Sequence, residues 1–135
     1  MAEESVVKES LSPNMIAAGK ELTRRLDRMG FKALASFWLY NSETNEWRLV
    51  LASRQVDSKG PKKAYSTILN ALTKKPEEKV IGLGLQIITL TSPLDPLIKS
   101  LRTALRTGKE LSDIRFSRNR INDLFIEDAY IYRVI

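Results

Sequence analysis

Residues 97–120 hold seven cations, Lys99, Arg102, Arg106, Lys109, Arg115, Arg118 and Arg120, against two acids, Glu110 and Asp113. Seven minus two leaves +5, nearly the +6 of the whole 135-residue chain. Five of the seven are arginines, whose planar fork suits bidentate contact with phosphate or carboxylate. The chemistry this stretch points to is reversible binding of an anionic partner, nucleic acid or an acidic protein, with a steep salt dependence. A second basic group, Lys59, Lys62 and Lys63, flanks Gly60-Pro61, where a helix is expected to start. The helix dipole disfavours cations there by about 0.3–1 kcal/mol each. Free amide groups and a close glycine approach make the same position a candidate anion seat.

Three acids follow, Asp123, Glu127 and Asp128. Carboxylates beside arginines are what a Mg²⁺-dependent phosphodiesterase or nuclease would use. On a strand Asp123 and Glu127 share one face and Asp128 takes the other, so Asp123 and Glu127 are the candidate metal ligands. The competing expectation is that these acids are ion-pair partners for Arg118, Arg120 and Arg133. Histidine and cysteine are both absent, which removes imidazole bases, thiolate nucleophiles, disulfides and Cys/His zinc sites. No cofactor is implied either. Gly82-x-Gly84 lacks the third glycine and the strand-to-helix setting of a dinucleotide loop, and the chain has no P-loop.

With 43% hydrophobic and 28% charged residues, the chain has the balance of one globular domain. Residues 1–11 show no sustained period and are expected to form a flexible N-terminal arm. The start of the chain is acidic rather than basic then apolar, and no apolar run approaches the roughly 18–20 residues of a membrane helix. A cytoplasmic protein that does not enter a membrane is the expectation.

The elements that must position these groups follow from punctuation and period. Ser12-Pro13 reads as a helix start, with Met15, Ala18, Leu22, Leu26 and Met29 on one face and Gly30 as the stop. Lys20, Arg24, Arg25 and Arg28 are assigned to its outer face. Ala33 to Tyr40 and Trp47 to Ser53 read as two strands joined by the polar residues 41–46. Trp38 and Trp47 are read as cross-strand packing rather than as a platform for bases. Residues 54–61 are a loop, Pro61 opens a second helix with Tyr65, Ile68, Leu69 and Leu72 inward, and Lys74-Lys75-Pro76 ends it. After the polar connection Pro76 to Lys79, a third strand from Leu83 to Leu90 is apolar enough to be central. Asp95-Pro96 starts a third helix ending at Gly108, with Leu97, Leu101, Ala104 and Leu105 inward and Lys99, Arg102 and Arg106 on one face. Finally, residues 114–135 form a hairpin with a charged tip at 117–123.

The order αββαβαββ predicts a single α+β domain over 12–135: one mixed, mostly antiparallel five-stranded sheet with three helices. The C-terminal run Tyr130 to Ile135 is read as an exposed edge that a second copy would cover, giving a homodimer. The leading functional expectation is a non-catalytic binding module that uses the third helix and the final hairpin tip. The alternatives are the carboxylate-metal phosphodiesterase and a small-ligand sensor with a pocket between sheet and helices.

Overall fold

The structure, a computed structural model, describes residues 10–73 and 82–135. The expected arm falls almost wholly outside those residues, as do the helix stop at Lys74 to Pro76 and the connection that follows it. In chain order the elements are α1 (Pro13–Arg28), β1 (Ala35–Asn41), β2 (Glu46–Ala52), α2 (Gln55–Lys59), α3 (Pro61–Leu72), β3 (Ile88–Thr91), α4 (Pro96–Ala104), β4 (Ile114–Ile121) and β5 (Leu124–Val134). One five-stranded sheet runs β3-β2-β1-β5-β4. The β2/β3 pair is parallel and the other three are antiparallel, so the domain is the expected mixed α+β fold. Among the described residues no helix is long and apolar enough to cross a membrane.

Local chemistry accounts for the boundaries of α1. The Ser12 hydroxyl accepts the Met15 amide at 3.1 Å, and Pro13 fills the first position, where a missing N–H costs nothing. At the other end Phe31 N–H donates to Leu26 O and Gly30 N–H to Asp27 O, with Gly30 at φ +77°. This is a Schellman closure, and only glycine adopts that backbone without strain. Phe31 is then fully buried, which pins the chain as it enters β1.

Strand alternation divides the core into two layers. Trp38, Tyr40, Trp47, Leu49 and Tyr132 pack with Leu22 and Leu26 of α1 and with Ala64 and Ile68 of α3. Phe37, Val50, Ile131 and Val134 pack on the opposite face with Ile98 and Leu101 of α4. Both tryptophans are buried packing residues.

Four expectations are corrected. The apolar third strand is not central: residues 85–87 form a 3₁₀ turn and β3 is a four-residue edge. Its apolar Leu83, Leu85 and Ile87 pack into the layer covered by α1 and α3, so their hydrophobicity reflects burial under helices rather than a central place in the sheet. Tyr130 to Val134 is not an edge, because β5 lies between β1 and β4. Its apolar density is that of a central strand, so it supplies no edge for a second copy. In α3, Ala64 and Ala71 are buried in place of Leu69, which is 46% exposed. The segment after Arg54 contains the short α2, so the described helices number four, of which α2 has five residues.

Gly19 sits where α1 meets the β1/β5 pair. A Cβ there would lie 2.7 Å from the Tyr132 hydroxyl and 2.8 Å from Trp38 Nε1, both on fully buried rings. Helix propensity favours alanine by roughly 0.8–1 kcal/mol, whereas overpacking a tight core costs typically about 1–3 kcal/mol. Gly19→Ala is therefore expected to lower stability in urea unfolding by about 1–2 kcal/mol. A stabilised variant would show that the rings yield easily.

Candidate functional site

The sequence treats the basic residues as one group, and the fold separates them. Lys59 closes α2 and Lys62 and Lys63 open α3, all exposed, on the layer opposite α4. Gly60 at φ +89° precedes α3 as expected. These lysines therefore do not join the cations of residues 97–120.

The third helix does lie beside the final hairpin, as Asn122 Nδ2 reaches within 3.5 Å of Ser100 Oγ. With about 100° of rotation per residue, Lys99 points away from that contact and Arg102 stands roughly 160° around the helix from it. The Arg102 Nε is buried with no partner among the described residues, so its stem lies against the protein. Arg106 does not share the helix face. α4 ends at Ala104, not Gly108, because Thr107 N–H bonds Val134 O at 2.8 Å and draws residues 105–107 out along β5. Arg106 Nε folds back onto Arg102 O at 3.1 Å. Lys109 is exposed in the segment that follows.

Arg115 has a structural task. Its Nε and one terminal nitrogen bond the two Asp128 oxygens at 2.7 Å each, and its guanidinium lies 5.5 Å from the centre of the Trp47 ring. Ser117 Oγ adds a third donor to Asp128 at 2.7 Å. The bond to Asp128 holds the Arg115 guanidinium above its ordinary pKa. Asp128 is thus an ion-pair partner, but of Arg115 and of neither Arg118 nor Arg120. Arg133 pairs instead with Asp27 through two bonds at 2.9 and 2.8 Å. Arg25, assigned by period to the outer face of α1, is buried and donates to Ala71 O at the end of α3 at 3.1 Å.

What remains free is the outer end of the hairpin. The two-residue turn is Asn122-Asp123, so Arg118 and Arg120 lie in β4 rather than in a loop. Arg118 drops out of the ladder between Ser117 and Asn119, which keep one register on either side of it, and its backbone lies in the left-handed region at φ +47°. Arg120 stacks its guanidinium 5.8 Å from the centre of the Phe125 ring, and Phe125 is 51% exposed. Among the described residues neither Arg118 nor Arg120 has an ion-pair partner within 4.0 Å. Asp123 and Glu127 belong to the same hairpin and lower its net charge. Asp123 is in the turn and Glu127 half-buried on β5, and no three acids among the described residues gather as a cation site. Comparison with protein-family models, curated proteins and solved structures finds no match.

Sequence reasoning missed a polar cluster at the base of the hairpin. Lys20 Nζ bonds Asp113 Oδ2 at 2.7 Å, and the Tyr130 hydroxyl bonds Asp113 Oδ1 at 2.8 Å. No linear signal joins residues so far apart. The bonds from Lys20 and then Tyr130 hold the Asp113 carboxyl below its ordinary value of 3.8. Burial and then Asp113 push the Tyr130 hydroxyl up. A depressed folded pKa stabilises the protein above the unfolded value and loses that contribution as pH falls through the folded one. Asp113→Asn should therefore be less stable than wild type at neutral pH, by at most about 1 kcal/mol for so exposed a pair. The gap should close as pH drops through 3.8 and below. Urea midpoints across that range test this, and a pH-independent gap would contradict it.

Proposed function

We propose that this chain is a non-catalytic binding module that engages single-stranded nucleic acid through the outer end of the β4–β5 hairpin. The observation that carries this reading is the exposed stack of Arg120 on Phe125, with Arg118 beside it on the edge strand. An exposed aromatic ring supports a base, and stacking of that kind contributes about 1–3 kcal/mol per base. Arginines without carboxylate partners add phosphate contacts that release counterions. Lys99, Arg106 and Lys109 are exposed elsewhere on the same half of the chain and supply a general positive field rather than part of this contact.

An acidic protein segment is the second reading, favoured by the position of β4 at the end of the sheet, where an extended partner can add a strand. The two differ in what Phe125 does. Fluorescence anisotropy with labelled single strands, duplex and an acidic peptide, between about 50 and 200 mM salt, separates them. Single strands should bind best, and Arg118→Ala with Arg120→Ala should weaken them by about tenfold or more. Phe125→Ala should weaken single strands by roughly 1–3 kcal/mol while leaving duplex affinity nearly unchanged. Lys62→Ala with Lys63→Ala is the control expected to retain binding. Absence of binding at the lowest salt, or hairpin variants that bind as wild type, would refute the nucleic-acid reading.

A further inference from the structure

The sheet face that carries α4 is only partly covered by it. Between the first turn of α4 and strands β1, β2 and β3 lies an open cleft of about 160 Å³, with Leu39, Val50 and Leu97 as apolar walls and Arg48, Thr89 and Asp95 among its polar ones. The register places Leu39 opposite Arg48 and Val50 opposite Thr89, so the strand residues all project to this side. α4 begins only at Pro96, and the strand residues beside its first turn are left open.

The two charged groups of the cleft are not equivalent. Asp95 caps α4: Oδ1 accepts the Leu97 amide at 2.9 Å and Oδ2 the Thr91 hydroxyl at 3.1 Å. Its charge also sits at the positive end of the helix dipole. Arg48 Nε donates to Thr89 Oγ1 at 2.7 Å and a terminal nitrogen to Ile88 O at 3.3 Å, which orients the fork. Only two of the five N–H donors of a guanidinium are used by those bonds. Among the described residues no carboxylate neutralises Arg48. The Thr89 hydroxyl accepts from Arg48 and keeps its own proton to donate. A half-buried cation with spare donors therefore stands over an apolar surface, while the nearby acid is already satisfied.

We propose that this cleft binds a small monocarboxylate with a short apolar body. The carboxylate bonds Arg48 and Thr89, and the body lies on Leu39, Val50 and Leu97. Size sets the class, because a cavity of about 150 Å³ accommodates one benzene ring. Short branched-chain acids and benzoate fit, whereas a second negative charge on the ligand would meet Asp95. A ligand of seven to nine heavy atoms at roughly 0.3–0.5 kcal/mol per atom binds with a Kd on the order of 1–30 mM. The proposal does not depend on the hairpin reading and its test uses different residues.

Titration of sodium 3-methylbutanoate into ¹⁵N-labelled full-length protein, followed by amide shifts, tests it. Shifts are expected at residues 48–50, 89–91 and 95–97 and not at the hairpin turn. Arg48→Met retains the aliphatic stem and should weaken binding by at least about tenfold. Because Arg48 also tethers β3, a second variant, Leu97→Phe, fills the cleft with Arg48 in place and should block the shifts. 3-Methylbutylamine, of the same shape with the opposite charge, should leave those amides unmoved. No saturable shifts, equal response to the amine, or undiminished binding by Leu97→Phe would each overturn the proposal.

Discussion

The hydroxyl of Tyr132 is the point on which the fold closes. It accepts Trp38 Nε1 at 2.9 Å and donates to Ile16 O, joining β5, β1 and α1 through one buried oxygen. A buried phenol or indole without a partner costs about 1–3 kcal/mol, so each ring needs the other in place. Burial holds the hydroxyl far above the ordinary phenol range, which keeps it a neutral donor at any physiological pH. The absence of a side chain at Gly19 lets α1 come down onto both rings. Pairing residue 38 with residue 132 puts the last strand in the middle of the sheet. Two hairpins that are local in sequence thus become one sheet.

Once β5 is central, the arginines sort by what surrounds them rather than by where they fall in the sequence. Arg133 faces the end of α1, and its terminal nitrogens bond Asp27 and, at 3.2 Å, Ala33 O. Arg25 reaches the last turn of α3, where carbonyl groups lack helical donors and a cation suits the dipole. Arg115 is held between Asp128 and Trp47. These three are latches between elements. Arg118 and Arg120 extend past the part of β5 that pairs with β1, and among the described residues neither has a carboxylate within 4.0 Å. Their availability is a consequence of hairpin length.

Architecture was legible in the sequence because it is written in short-range signals. Ser12-Pro13, Gly30, Gly60-Pro61 and Asp95-Pro96 each mark a helix boundary through backbone chemistry that acts within a few residues. What could not be read depended on contacts distant in sequence. The stretch Leu83 to Leu90 and the run Tyr130 to Val134 are alike in composition, yet one is buried under helices at an edge and the other is central. Period alone assigns Arg25 to solvent, because a guanidinium that ends on a carbonyl 46 residues away leaves no local trace. The +5 count over residues 97–120 was correct as arithmetic and misleading as geometry, since Arg106 leaves the helix and Arg115 is committed to Asp128.

Both ends of the sheet are open edges, β3 at one and β4 at the other. An open edge is a template for pairing with other chains, and it has to be shortened, bent or charged. β3 meets this need with four residues, and the Tyr65 hydroxyl accepts its Leu90 amide at 3.2 Å. β4 is eight residues long and cannot rely on brevity, so it carries three arginines and a break in its ladder at Arg118. Two copies meeting edge to edge would bring those like charges together, which opposes self-association through β4. Under the proposed function the same cations would attract an anionic strand. The chemistry that opposes pairing of this edge with its own kind would then be what draws a partner of opposite charge.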